Sequence, residues 1–79
     1  MKKIISSVEV SVKFSLPYST LTHYTNLGLF RVVGRRGNKR LYNEEEVGTR
    51  LEQIRKLTNE GYPLMLIRDK IFRDKTGYD

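Results

Sequence analysis

Arg31, Arg35, Arg36, Lys39 and Arg40 fall within the stretch RVVGRRGNKR, together with two glycines and no acid. Side chains of this type at this density suit one kind of chemistry. They neutralise the charge of a polyanion, and the glycines let the main chain come close to it. With Lys13 they make six cations between Val10 and Asn43, a span that holds no Asp or Glu, while the rest of the chain carries nine basic against nine acidic residues. The whole net charge of +6 therefore belongs to the middle of the sequence. A surface charged only for solubility would intersperse the signs. A one-signed middle with a balanced remainder is the footprint of a surface that meets a polyanion.

Catalytic chemistry lacks its parts. His23 is the one histidine, there is no cysteine, and GRRGNK lacks the Gly-Lys-Ser/Thr ending of a phosphate-binding loop. The run Glu44, Glu45, Glu46 is better explained as the acidic first turn of a helix than as an acid/base pair. No enzyme activity, metal or cofactor is expected. At 79 residues the chain makes one domain with a small core and no disulfide to staple it. No stretch approaches the roughly 18 apolar residues of a membrane span, so no membrane partner is expected and the cytoplasm is the expected location.

The basic stretch must be held by ordered elements. LFRVV and KRLY are β-prone runs flanking GRRGN, where Gly34, Gly37 and Asn38 can supply the positive φ angles of a hairpin loop. Ahead of it, PYSTLTHYTNLG predicts a short helix that starts after Pro17, turns Leu21, Tyr24 and Leu27 inward and ends at Gly28. Behind it, Asn43 with Glu46 has N-cap and N3 spacing, and Val47, Leu51, Ile54 and Leu57 form the apolar stripe of a helix that Gly61 stops. Pro63 opens a last helix running to about Phe72, with Leu64, Ile67 and Ile71 inward. Only the start is ambiguous, because Val8, Val10, Val12 and Phe14 alternate with polar residues as a strand would. The closing RDKTGYD reads as a frayed or cut end.

A short helix followed by a basic hairpin suggests double-stranded DNA as the partner. Tyr18, Ser19, Thr22, His23 and Asn26 make an outward side that fits the major groove, which is wide enough to admit a helix. The hairpin then lies across the flanking backbone, with Arg31, Arg35, Arg36, Lys39 and Arg40 on phosphates. The rings of Tyr24 and Tyr42 are expected to pack, leaving their hydroxyls for phosphate.

Several words in a fixed order resemble the DNA-binding domain of the MerR family of transcription regulators. These are Glu9-Val10-Ser11, Leu16-Pro17, Ser19-Thr20-Leu21, Tyr24, Gly28-Leu29, Arg40-Leu41-Tyr42, Asn43 through Val47, Ile54, Leu57, Gly61, and Pro63-Leu64 with Ile67. The resemblance covers roughly residues 7 to 72. It implies a mostly α winged helix-turn-helix of four helices plus a two-stranded wing, as a single domain over 1–79. Residues 7–14 become the first helix, 17–26 the recognition helix, 30–42 the wing, and 44–60 and 63–72 the supporting pair, which overrides the strand pattern at the start. The family's recognition-helix Arg falls on Thr22, its first Tyr on His23 and the following acid on Thr25. The resemblance further implies promoter binding in the bacterial nucleoid, and a homodimer formed through a C-terminal helix absent from these residues, as is an effector domain. Met65 and Leu66, beside Leu64 and Ile67, cover more of the last helix than one neighbour can bury and mark a candidate protein interface. Two alternatives share the same residues: an excisionase-like DNA-bending factor, and a protein-interaction adaptor working through that apolar face.

Overall fold

The computed structural model describes residues 3–76. The elements run β1 (Ile4–Ser6), α1 (Ser7–Lys13), α2 (Tyr18–Asn26), β2 (Val32–Arg36), β3 (Lys39–Asn43), α3 (Glu44–Asn59) and α4 (Leu64–Thr76). The strands form one antiparallel sheet in the order β1-β3-β2, so the expected two-stranded wing is corrected to a three-stranded sheet. Ile4, Ile5 and Ser6 lie opposite Asn43, Tyr42 and Leu41. A strand of three residues is too short to show a period of two, and its partner lies far along the chain, so nothing local announces it. At the other end, α4 runs past the expected Phe72 to Thr76, and residues 77–79 of the closing segment lie outside the described residues.

Residues 8–14 alternate like a strand, yet α1 spans most of them. Its start is fixed by a reciprocal pair of bonds. The Ser6 hydroxyl accepts from the Glu9 amide at 3.3 Å, and the Glu9 carboxylate accepts from the Ser6 amide at 2.8 Å. Val10 and Phe14, four residues apart, then turn toward the core, while Val8 and Val12 are left exposed. A helix of seven residues cannot stand alone in water, so the burial of Val10 is what keeps it folded.

The first three helices stop in the same way, with one residue in the left-handed conformation and two backbone bonds closing the last turn. At Gly28 (φ 85°) its amide donates to the Thr25 carbonyl and that of Leu29 to Tyr24; at Gly61 (φ 95°) its amide donates to Thr58 and that of Tyr62 to Leu57. At the end of α1 the left-handed residue is Ser15 (φ 54°), whose amide and that of Leu16 donate to Val12 and Ser11. The Ser11 hydroxyl also donates to the Leu16 carbonyl. This turn, completed by Pro17, sets the angle between α1 and α2, and a serine here pays a steric cost that glycine would not.

The hairpin turn also departs from expectation. Gly37 takes a positive φ of 60°, whereas Gly34 and Asn38 do not. Glycine at the first loop residue alone fits a type II′ turn, and Gly34 instead adjoins a bulge between Val32 and Gly34 that lets Val33 stand outside the pairing.

Beyond the hairpin, Asn43 ends β3 and caps α3, its side-chain oxygen accepting from the Glu46 amide at 3.0 Å. One core gathers a residue or more from every layer: Ile5, Val10, Leu16, Leu21, Leu29, Phe30, Tyr42, Val47, Leu51, Ile54, Ile67 and Ile71.

Two consequences are measurable. Ser15→Gly relieves the left-handed strain but loosens the unfolded chain, for a net gain of roughly 0.5 to 1 kcal/mol and a melting temperature several degrees higher. Gly28→Ala goes the other way by about 1 to 2 kcal/mol, since it adds strain at positive φ and places a Cβ some 3.3 Å from the Phe72 ring. Acid should also act through two carboxylates. The Ser6 amide holds Glu9, and the Lys13 ammonium holds Glu44, below the ordinary value of 4.5. Depressed carboxylates stabilise the fold above that value and lose the contribution as pH falls through and below it. Urea titrations of Glu9→Gln and Glu44→Gln between about pH 6 and 3 should therefore show a shallower acid decline than the parent protein.

Candidate nucleic-acid interface

At 100° per residue, Tyr18, Ser19, Thr22, His23 and Asn26 fall within an arc of about 140° on α2. Leu21 and Tyr24 lie on the other side. Accordingly Leu21 is buried and Tyr24 packs edge-on to Phe30 with ring centres 5.6 Å apart, while Tyr18, Ser19, His23 and Asn26 are exposed and Thr22 is half-buried. The outward face is polar, bears no acid, and offers hydroxyl, imidazole and amide groups that can both donate and accept. No side chain caps the start of α2, because Pro17 holds the N-cap position; the amides of its first turn are left for solvent or an anion.

The wing presents its cations in facing pairs. Arg35 lies directly opposite Arg40, and Arg36 opposite Lys39, on the two strands that meet at the Gly37-Asn38 loop. Like charges in cross-strand register repel and destabilise the hairpin. Among the described residues none of the four enters an ion pair, although the Arg36 charge is felt at Glu9. Arg35, Arg36 and Lys39 are exposed and Arg40 is half-buried.

Two residues expected on phosphates are placed otherwise. Tyr42 is 1% exposed in the centre of the sheet, and its hydroxyl is 2.9 Å from Thr25 Oγ1, so it is corrected from a phosphate contact to a core residue with its polar tip satisfied. Ile5 and Val32, directly opposite it on either side, pack into or against the same core. Arg31 points at α3, where its guanidinium donates to both Glu46 oxygens, at 3.3 and 2.6 Å, and is held above its ordinary pKa by them. It is exposed but already engaged. Lys13, similarly, is paired with Glu44 at 2.7 Å. The four cations toward the hairpin tip, by contrast, have no ion pair among the described residues.

Sequence reasoning missed Thr25. Its hydroxyl donates to the Leu21 carbonyl at 2.8 Å and meets Tyr42, which links α2 to β3. Ser6-x-x-Glu9, a capping signature in plain view, was the signal that could have settled α1 from local pattern alone. Met65 and Leu66 are 51% and 53% exposed on α4, and Tyr62, ahead of that helix, carries Lys70 5.6 Å over its ring. No helix among the described residues is long and apolar enough to cross a membrane, and no group of three or more metal-ligating side chains is assembled among them.

Compared with known proteins, the chain finds no significant match among curated proteins or solved structures. Residues 5–72 match the family model of the MerR HTH family regulatory proteins, a span that takes in every element from the end of β1 to the inner face of α4. With a helix-turn-helix whose second helix has a polar outward face, followed by a basic wing and two supporting helices, the chain belongs to the MerR HTH family of DNA-binding regulatory proteins.

Proposed function

We propose that this DNA-binding regulator seats α2 in the major groove of a double-stranded site and lays the β2–β3 hairpin along the flanking phosphates, acting on promoters in the cytoplasm at the nucleoid. The observation that carries this is the pair of facing cations on the wing, Arg35 with Arg40 and Arg36 with Lys39. Repulsion across a hairpin is a cost in the free protein that a polyanion removes on binding. Tyr18, Ser19, Thr22, His23 and Asn26 then read base edges, and the wing residues Arg35, Arg36, Lys39 and Arg40 hold the register. Arg31 contributes by bracing the wing on Glu46, and Tyr24 by packing α2 on Phe30.

Pairing of two copies on an inverted repeat, with Met65 and Leu66 at their contact, belongs to the same proposal. A head-to-tail arrangement along direct repeats is the architectural alternative. Selection from random duplex DNA, followed by sequencing, separates them: inverted repeats support the regulator, direct repeats the DNA-bending factor, and no enrichment removes base reading by α2.

Engagement of 6 to 10 phosphates would cost roughly 10³ to 10⁵ in affinity between about 50 and 200 mM salt. Arg35→Ala with Arg36→Ala should cut the slope of log affinity against log salt by about 2, while thermal stability stays level or rises because the facing repulsion is gone. An unchanged slope would take the wing out of the interface. Thr22→Ala and His23→Ala should instead alter which sequence is preferred, each shifting discrimination at its base step by about 1 to 3 kcal/mol. Uniform weakening on all sequences would show that neither side chain reads a base.

A further inference from the structure

We infer that the Tyr42–Thr25 hydrogen bond is the positioning contact of the DNA-binding surface, holding the recognition helix in one orientation on the sheet that carries the wing, so that both residues govern discrimination between sequences without touching DNA. This rests on the DNA-binding reading above.

The bond has a defined direction. Thr25 Oγ1 lies 2.8 Å from the Leu21 carbonyl oxygen and 2.9 Å from Tyr42 Oη. A threonine hydroxyl has one proton and a carbonyl can only accept, so that proton is committed to Leu21. Tyr42 must therefore donate to Thr25. The chain of donors runs from the centre of the sheet, through Thr25, to the main chain of α2, and it ends on a backbone atom that cannot swing away.

Among the described residues it is the one side-chain hydrogen bond found between α2 and the sheet. The other contacts of α2, through Leu21 and Tyr24, are apolar, and apolar contacts set distance without setting direction. A hydrogen bond sets both. Tyr42 is two residues from Arg40 on β3 and stands opposite Val32 on β2, so the strands that carry the wing cations are referred to the reading face of α2 through this residue. Base contacts lose productive geometry over small displacements, and an unpinned helix would spread over several orientations.

Three variants test the inference on the duplex recovered by selection, measured at low temperature where each is shown by circular dichroism to be folded. Tyr42→Phe keeps the ring and removes the donor. Its ratio of specific to nonspecific affinity should fall roughly fivefold to tenfold, the worth of one net hydrogen bond, with the salt slope unchanged because no phosphate contact is lost. Thr25→Ser keeps the hydroxyl and should keep the ratio. Thr25→Val strands the buried Tyr42 proton and should be the most destabilised, while adding Tyr42→Phe to it should recover stability but not discrimination. Should Thr25→Val fail to fold, Tyr42→Phe against Thr25→Ser still decides. A lowered urea midpoint in Tyr42→Phe with an unaltered affinity ratio would make the contact merely structural and overturn the inference. Parent protein that shows no sequence preference would overturn the base-reading proposal itself, and this inference with it.

Discussion

The five residues of β3 are the constraint on which the remaining structure depends. As the central strand it pairs with β2 through Lys39–Tyr42 and with β1 through Leu41–Asn43, because an unpaired buried amide or carbonyl is expensive. Four of the five also have a second task. Lys39 and Arg40 face Arg36 and Arg35, Tyr42 fills the core, and Asn43 caps α3 while Glu44 that follows takes the Lys3 carbonyl. A shift of register by one residue would turn Tyr42 out to solvent and misplace the cap at once.

Charge is handled in two opposite ways within one small molecule. Around the start of α3 the cations are compensated: Lys13 by Glu44 and Arg31 by Glu46, where the acids also favour the positive end of the helix. These pairs tie α1 and the entrance of the wing to α3. At the far end of the hairpin compensation stops, and four cations face one another in two pairs. The balanced part ties the domain together, whereas the facing cations carry a cost in the free protein, so stability and the proposed binding draw on different parts of one net charge.

Departures from the MerR pattern become intelligible in this frame. Where the resemblance places an acid, this chain has Thr25, and its hydroxyl bridges Tyr42 and the α2 main chain. That exchange removes a negative charge from beside the outward face of α2. Thr22 and His23, in place of an arginine and a tyrosine, shorten the reach of α2 and exchange charged contacts for groups that can donate or accept.

Much of the fold was legible because its signals are local. Asn43 with Glu46, the glycines at 28, 37 and 61, Pro63, and the stripes Val47-Leu51-Ile54 and Ile67-Ile71 act within a turn or two of themselves and mean nearly the same thing in any context. The outward face of α2 follows from the helical period, and the segregation of charge from simple counting. By contrast, β1 has no signal without β3, whereas α1 had a local one in Ser6 and Glu9 that the alternation at residues 8–14 masked. The pairing of Arg31 with Glu46 and the burial of Tyr42 beside Thr25 were hidden for the same reason as β1, since Glu46 and Thr25 lie 15 and 17 residues away along the chain and reach them only once the fold has formed. The sequence by itself determined the bounds of α2 and α3, the start of α4 and where the charge lies, because those effects act over a few residues. Only the tertiary structure decided which cations are paired and which hydroxyl ties α2 to the sheet, because those depend on partners that folding alone brings within hydrogen-bond distance.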